Sequence, residues 1–256
     1  SWCRGRCRGS REHGSGARVV EPRGDLRPSR RGEQPSYGPG VGRATTVGIA
    51  GAAVAYAGLH WLGRTSGTTV AERRLAAPGD DLVESPLVVT DHAVTVDAPP
   101  GAVWPWLVQM GWGRAGWYTA RWVDRAFFPA NGPSADRIHE EWQDLAVGDR
   151  VLAGAPETEC GFVVRALEPD RHLVLHSTEH LPPQFRDRFG AWIDWSWAFV
   201  LSDLGDGRTR FHFRTRARLG PPWLAAAYWL VLVPADHVMA RQMLAGVRRR
   251  AEGRLG

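Results

Sequence analysis

The order of elements in this sequence predicts an α+β domain, and three observations carry that reading. First, the stretch RTRFHFRTRARLG, residues 208–220, is basic at every even position from 208 to 218. It is apolar or threonine at every odd position from 209 to 219. That period of two is an extended strand with two unlike faces. Second, EPDR at 168–171 and DLGDGR at 203–208 punctuate strand-like runs with hairpin chemistry. Third, Val238, Met239, Gln242, Met243, Gly246 and Val247 form one helical stripe near the end of the chain. A strand, two short helices, a run of antiparallel strands and a closing helix give one sheet with its helices on one face.

Residues 1–43 are rich in Gly, Arg, Ser and Pro and poor in aliphatics. They cannot bury enough surface to offset chain entropy and are expected to be disordered. Because the chain opens with Ser, this tail is expected to be a fragment or an over-extended reading frame. Residues 44–63, ATTVGIAGAAVAYAGLHWLG, carry no formal charge over 20 positions. That length suits one membrane crossing, with Trp61 as interfacial anchor. The Arg excess before it favours a cytoplasmic N-terminus; a signal segment or a soluble helix are the rival readings. Residues 64–90 read as a linker, and residues 91–253 as the folded domain. Within the domain, HAVTVDAP alternates as a strand. Pro99 and Pro100 then open a helix striped by Val103, Trp106, Leu107 and Met110. WYTARWVDRAFF, 117–128, reads as a second helix anchored by Trp117, Trp122 and Phe128. Strands are expected over 149–153, 160–168, 171–178, 190–203 and 208–219. The apolar run 222–233 is short of a span and suits a core or interfacial helix interrupted by Pro234.

Charge excludes one class of function. The chain has 32 basic residues, all Arg, and a net charge of +5. Residues 1–43 hold 10 Arg and 4 acids, leaving 22 Arg and 23 acids in the body. A near-neutral body with a basic tail is not a nucleic-acid-binding domain. The basic groups of 208–218 also lie on the face opposite the aromatics, where they cannot frame a base-stacking platform. Three cysteines, Cys3, Cys7 and Cys160, make no disulfide framework, and Cys3, Cys7 and His13 are too few for a zinc finger.

Several separated stretches resemble a known family. VTVDAPPGAVWPWLVQMGWGRAGWYTARWVD, ADRIHEEWQDLAVGDRV and HVMARQMLAGVRRRAE, in this order, are similar to the START-like polyketide cyclase superfamily (SRPBCC), whose fold is the helix-grip. Trp61, Gly67-Thr68 and Pro78-Gly79-Asp80 resemble a bacterial branch with an N-terminal hydrophobic segment. The likeness covers roughly residues 61–253. It implies a curved antiparallel sheet wrapped around a long C-terminal helix, with an apolar, aromatic cavity between them. The superfamily includes lipid carriers, hormone receptors, cyclases and chaperone activators, so the resemblance implies shape more than activity.

The expected ligand-binding residues are Trp117, Tyr118, Trp195, Trp197, Phe199, Phe211, Phe213, Met239 and Met243. In FGAWIDWSWAFVL, Ile193, Trp195, Trp197, Phe199 and Leu201 share one face, as an aromatic pocket wall or plain core. The expected ligand is a hydrophobic small molecule or lipid, with the membrane, through residues 44–63, as second partner. The alternative is a cyclase- or dehydratase-like enzyme using acid/base groups in the same cavity, with Glu141, His176 and Asp194 as candidates. Trp142 beside Glu141 points to a desolvated carboxyl with a raised pKa. HSTEH, 176–180, matches a zinc-protease pattern, but four residues on a strand span about 13 Å, too far to share one zinc. No cofactor is expected: there is no G-x-S-x-G, Gly-rich phosphate loop or Cys–His pair.

Overall fold

The computed structural model describes residues 40–127 and 129–254. The tail expected to be disordered therefore lies almost wholly outside the described residues, with Cys3, Cys7 and Phe128. The first helix, α1, runs Gly40–Thr65, and a short α2, Val70–Arg74, follows. Strand β1, Val88–Val96, leads to α3, Pro100–Val108, and α4, Arg121–Phe127. Then come β2 (Arg150–Leu152), β3 (Gly161–Glu168), β4 (His172–Ser177), α5 (Pro183–Phe189), β5 (Trp192–Asp203) and β6 (Thr209–Gly220). Helix α6, Pro222–Ala227, passes through a π-helical turn at Tyr228–Leu232 into α7, Val233–Ala251.

The six strands form one antiparallel sheet in the order β1-β6-β5-β4-β3-β2. The fold is α+β, as the element order predicts. Helix α7 lies against β1 and α3 on the inner face, over a core that includes Val96, Leu107, Phe162, Phe199 and Phe211. Helix α7 comes close enough to the loop after α3 that a Cβ on Gly246 would sit 1.9 Å from the Tyr118 carbonyl oxygen. Glycine is the residue that permits this approach.

Three expectations change. The helix predicted over 117–128 begins only at Arg121, because Gly116 and Tyr118 both have positive φ and hold Trp117–Ala120 out of helix. Trp117 is buried all the same, whereas Trp122, expected as an anchor, is exposed. Pro234 does not end the helix; the π turn absorbs it.

Residues 64–90, read as a linker, also do more than connect. A capping box at Thr69 and Glu72 starts α2, and the segment lies across the outer face of the sheet. Val83 is fully buried there. Gly79, at φ +81°, sits so close to Val174 that a Cβ would be 2.5 Å from its Cγ1.

The basic stripe of β6 meets this strap. Arg214 is only 4% exposed. Its Nε donates to Asp91 Oδ1 at 2.7 Å, and its Nη1 to Asp80 Oδ2 and the Leu75 carbonyl, both at 2.8 Å. Its Nη2 donates to the Arg73 carbonyl at 3.1 Å. Arg210 pairs with Glu72 at 2.6 Å and holds that carboxyl down to about 2. Burial pushes the Asp91 pKa up, but its bonds with His212 and Arg214 outweigh this and hold it below the usual range.

Candidate functional site

Alternation along β1 turns Val88, Thr90, His92, Val94 and Val96 to the inner face, two polar residues in an otherwise apolar phase. The sheet register extends them into rows. Thr90 pairs with Thr215, and Thr215 with Trp197; His92 pairs with Phe213, and Phe213 with Phe199. Asp236, in the first turn of α7, hangs over these rows. Its Oδ2 accepts from Thr90 Oγ1 at 3.3 Å and lies 3.6 Å from His92 Nε2.

This polar row is incompletely satisfied. The Trp195 and Trp197 indole Nε1 atoms, the Thr215 hydroxyl and both ring nitrogens of His92 are buried without a hydrogen-bond partner in the chain. A buried polar group left so costs about 1–3 kcal/mol, and each such group calls for an explanation. Around the row the aromatics meet edge to face: Trp117 and Trp197 at 5.4 Å, Trp197 and Phe213 at 5.5 Å, Trp195 and Trp197 at 5.3 Å. The space lined by Trp117, Trp197, Phe213, Asp236, Met239 and Met243 is about 20 Å³, room for one water. His180, past the end of β4, closes one side between Phe162 and Trp195, at 4.7 and 4.5 Å. Burial pushes its pKa down to about 4.

Of the expected ligand-binding residues, Trp117, Trp197, Phe213, Met239 and Met243 come together at this cavity. Trp195 flanks it, and Phe199 and Phe211 lie in the core beneath, Phe199 stacked on Phe213 at 4.8 Å. Tyr118 is held elsewhere: its hydroxyl donates to the Trp106 carbonyl and accepts from Gln109 Nε2, both at 2.9 Å. The acid/base candidates lie outside the cavity. Glu141 is exposed, and its own backbone N–H and His139 hold its carboxyl below the usual range, the reverse of the expected rise. Trp142 stacks on the His139 ring instead, at 4.2 Å. His176 and Asp194 bond each other at 2.7 Å, on the strand positions that alternate away from Leu175, Trp195 and the inner face.

Sequence reasoning missed His92 and Thr90 as members of the site. The signal was present: they stand in phase with Val88, Val94 and Val96, but only once the strand is begun at Val88.

A larger surface cleft, about 380 Å³, lies beside α4 and includes Thr119, Asp124, Ser134 and Arg250. Its carboxylates are already engaged, Asp124 with Thr119 and Ser134, and Asp136 with Arg250. None of its lining atoms is among the buried unpartnered ones, so the inner face is the stronger candidate.

No protein-family model and no curated protein matches the chain. Among solved structures, a hypothetical protein from Helicobacter pylori is 13% identical, with a TM-score of 0.40 over 68% of this chain and 93% of that one. The Zhui aromatase/cyclase from Streptomyces sp. R1128 is 18% identical, with a TM-score of 0.37 over 65% and 94%. A conserved protein from Geobacillus kaustophilus is 12% identical, with a TM-score of 0.37 over 65% and 96%. Likenesses this distant carry nothing about what this chain binds.

Proposed function

We propose that this chain is a membrane-tethered domain that binds a hydrophobic small molecule or lipid between the inner sheet face and α7. The observation that carries the reading is the row of buried, unpartnered polar groups at Thr215, His92, Trp195 and Trp197, set in an aromatic wall. Such a wall with a few convergent polar groups is the make-up of a ligand site. The indole N–H groups and Thr215 offer donors to a ligand oxygen, and Asp236 offers an acceptor. That space of about 20 Å³ is too small for such a ligand. Met239 and Met243, unbranched and adaptable, are the side chains that would move aside for it. What supports the tether is α1, whose residues Thr45–Thr65 are long and apolar enough to cross a bilayer.

One observation favours a second reading. His92 lies 3.6 Å from Asp236, which lines the cavity, a pairing suited to acid/base work on a bound ligand. The first test is native mass spectrometry of the purified full chain. An apolar species is expected to copurify with it and to be lost from a Trp197→Phe, Thr215→Val variant. A protein that carries no such species from cells, and takes none from a total lipid extract, overturns the binding reading. Recovery of the extracted ligand chemically unchanged after incubation with fresh protein removes the enzymatic one.

A further inference from the structure

Pro234 withholds a helical donor from two carbonyls of the π turn. In an α-helix the Leu230 carbonyl would accept from the N–H of residue 234; in a π-helical turn the Trp229 carbonyl would accept from the same group. Residue 234 is proline and has no N–H. Helix α1 supplies the replacement donors: Tyr56 Oη donates to the Leu230 carbonyl at 2.5 Å, and His60 Nε2 lies 3.0 Å from the Trp229 carbonyl. Tyr56 and His60, two of the few polar side chains in an apolar helix, are thus spent on fixing α1 against the π turn. A Cβ on Gly63 would sit 2.2 Å from the Val233 carbonyl oxygen, so this contact is also a close one.

The surface beside this contact is apolar and rimmed with cations. Leu230, Val231 and Leu232 are exposed, Val231 at 62%. Phe185, Phe189, Trp192 and Trp223 are all more than 40% exposed, and Phe189 meets Trp223 edge on at 5.8 Å. Arg64 lies over Trp229 at 5.0 Å, Arg188 over Phe189 at 5.3 Å and Arg218 over Trp192 at 5.8 Å. None of these three arginines has a carboxylate partner among the described residues.

We infer that the end of the domain formed by α5, α6 and the π turn sits in the headgroup layer of an anionic bilayer, beside α1. Exposed aromatics with cations over their rings are the make-up of a membrane-interface belt. Arginines at that depth are drawn to anionic lipid. An apolar patch continuous with a helix of spanning length has the bilayer as its natural cover. This inference rests on the tethering part of the proposed function and extends it: the domain is docked rather than hung on a leash.

The test uses the full chain with Cys3, Cys7 and Cys160 replaced by Ser. Single cysteines carrying an environment-sensitive dye are placed at 54, 231 or 147; Val147 is as exposed as Val231. The protein is reconstituted into phosphatidylcholine–phosphatidylglycerol vesicles containing spin-labelled quencher lipids. Blue-shifted, quenched emission is expected at 54 and 231, with neither change at 147. Arg188→Glu with Arg218→Glu is expected to reduce the quenching at 231 and leave 54 unaltered. Quenching at 54 with a water-like signal at 231 overturns the docked end and leaves the tether standing. Water-like signals at both positions overturn the tether and the docking together.

Discussion

The outer and inner faces of one sheet bury polar groups in opposite ways. On the outer face, Arg214 is buried with its donors directed at Asp91, Asp80 and the carbonyls of the strap. On the inner face, the next positions of the same strands bury Thr215, Trp197 and His92 with donors and acceptors unmatched. Burial of polarity alone therefore does not mark a site here. The outer face, where Arg214 is matched and only Asp80 Oδ1 and Arg216 Nε are left over among the described residues, reads as architecture, and the inner one as the place where something else completes the bonds.

Four experiments would break or sharpen that contrast. Arg214→Ala leaves Asp91 and Asp80 facing each other under the strap without their shared cation. Removing one partner of a buried pair costs about 3–5 kcal/mol, and urea unfolding at neutral pH should show a loss of that size; a loss below about 1 kcal/mol would make the strap ornamental.

The second effect is pH-dependent. His180 titrates at about 4 in the fold, lowered by burial from 6.5. As pH falls, the unfolded chain takes the proton first. Stability is therefore full above pH 6.5, declines between 6.5 and about 4, and is flat below. The span is about 3 kcal/mol, with about 2 of it lost by pH 5. Comparing urea midpoints at pH 7 and pH 5 should show a steeper loss in the natural protein than in His180→Phe.

The third prediction has the opposite sign from the first. Thr215→Val removes an unpartnered buried hydroxyl at similar volume and should raise stability by about 1 kcal/mol, measured by thermal unfolding, while weakening ligand capture. A destabilised Thr215→Val would mean that the hydroxyl is matched after all. The smallest effect belongs to α1. Tyr56→Phe deletes one bond to the Leu230 carbonyl, worth about 1 kcal/mol or less, and should appear as faster amide exchange across the π turn rather than as a shift in global unfolding.

Much of the architecture was legible because its signals are local. The alternation of 208–219 and the turns at 168–171 and 203–208 lie within a residue or two of β6 and the hairpins they announce. The helix expected over 117–128 starts late, at Arg121, because its apolar spacing does not register the positive φ at Gly116 and Tyr118. The aromatic wall was legible as one face of β5, but whether it lined a space or filled one depends on side-chain volumes from several elements. His92 and Asp236 are about 140 positions apart in sequence, and only the register of β1 with β6 and the placement of α7 bring them together. The strap was the least legible. Its Pro, Gly and Asp content is that of a connector, and what turns it into structure is a guanidinium donated by a strand far along the chain.

That guanidinium also decides where the domain can be cut. A fragment started at the first strand, near residue 88, would keep every strand yet lose Asp80, the Leu75 and Arg73 carbonyls and Glu72, stranding Arg214 and Arg210 in a newly bared surface. A fragment free of α1 but started by Thr68, whose carbonyl accepts from Arg73 Nη1 at 2.9 Å, would retain all of them. The border of the sheet domain therefore runs through what looks like its least structured stretch.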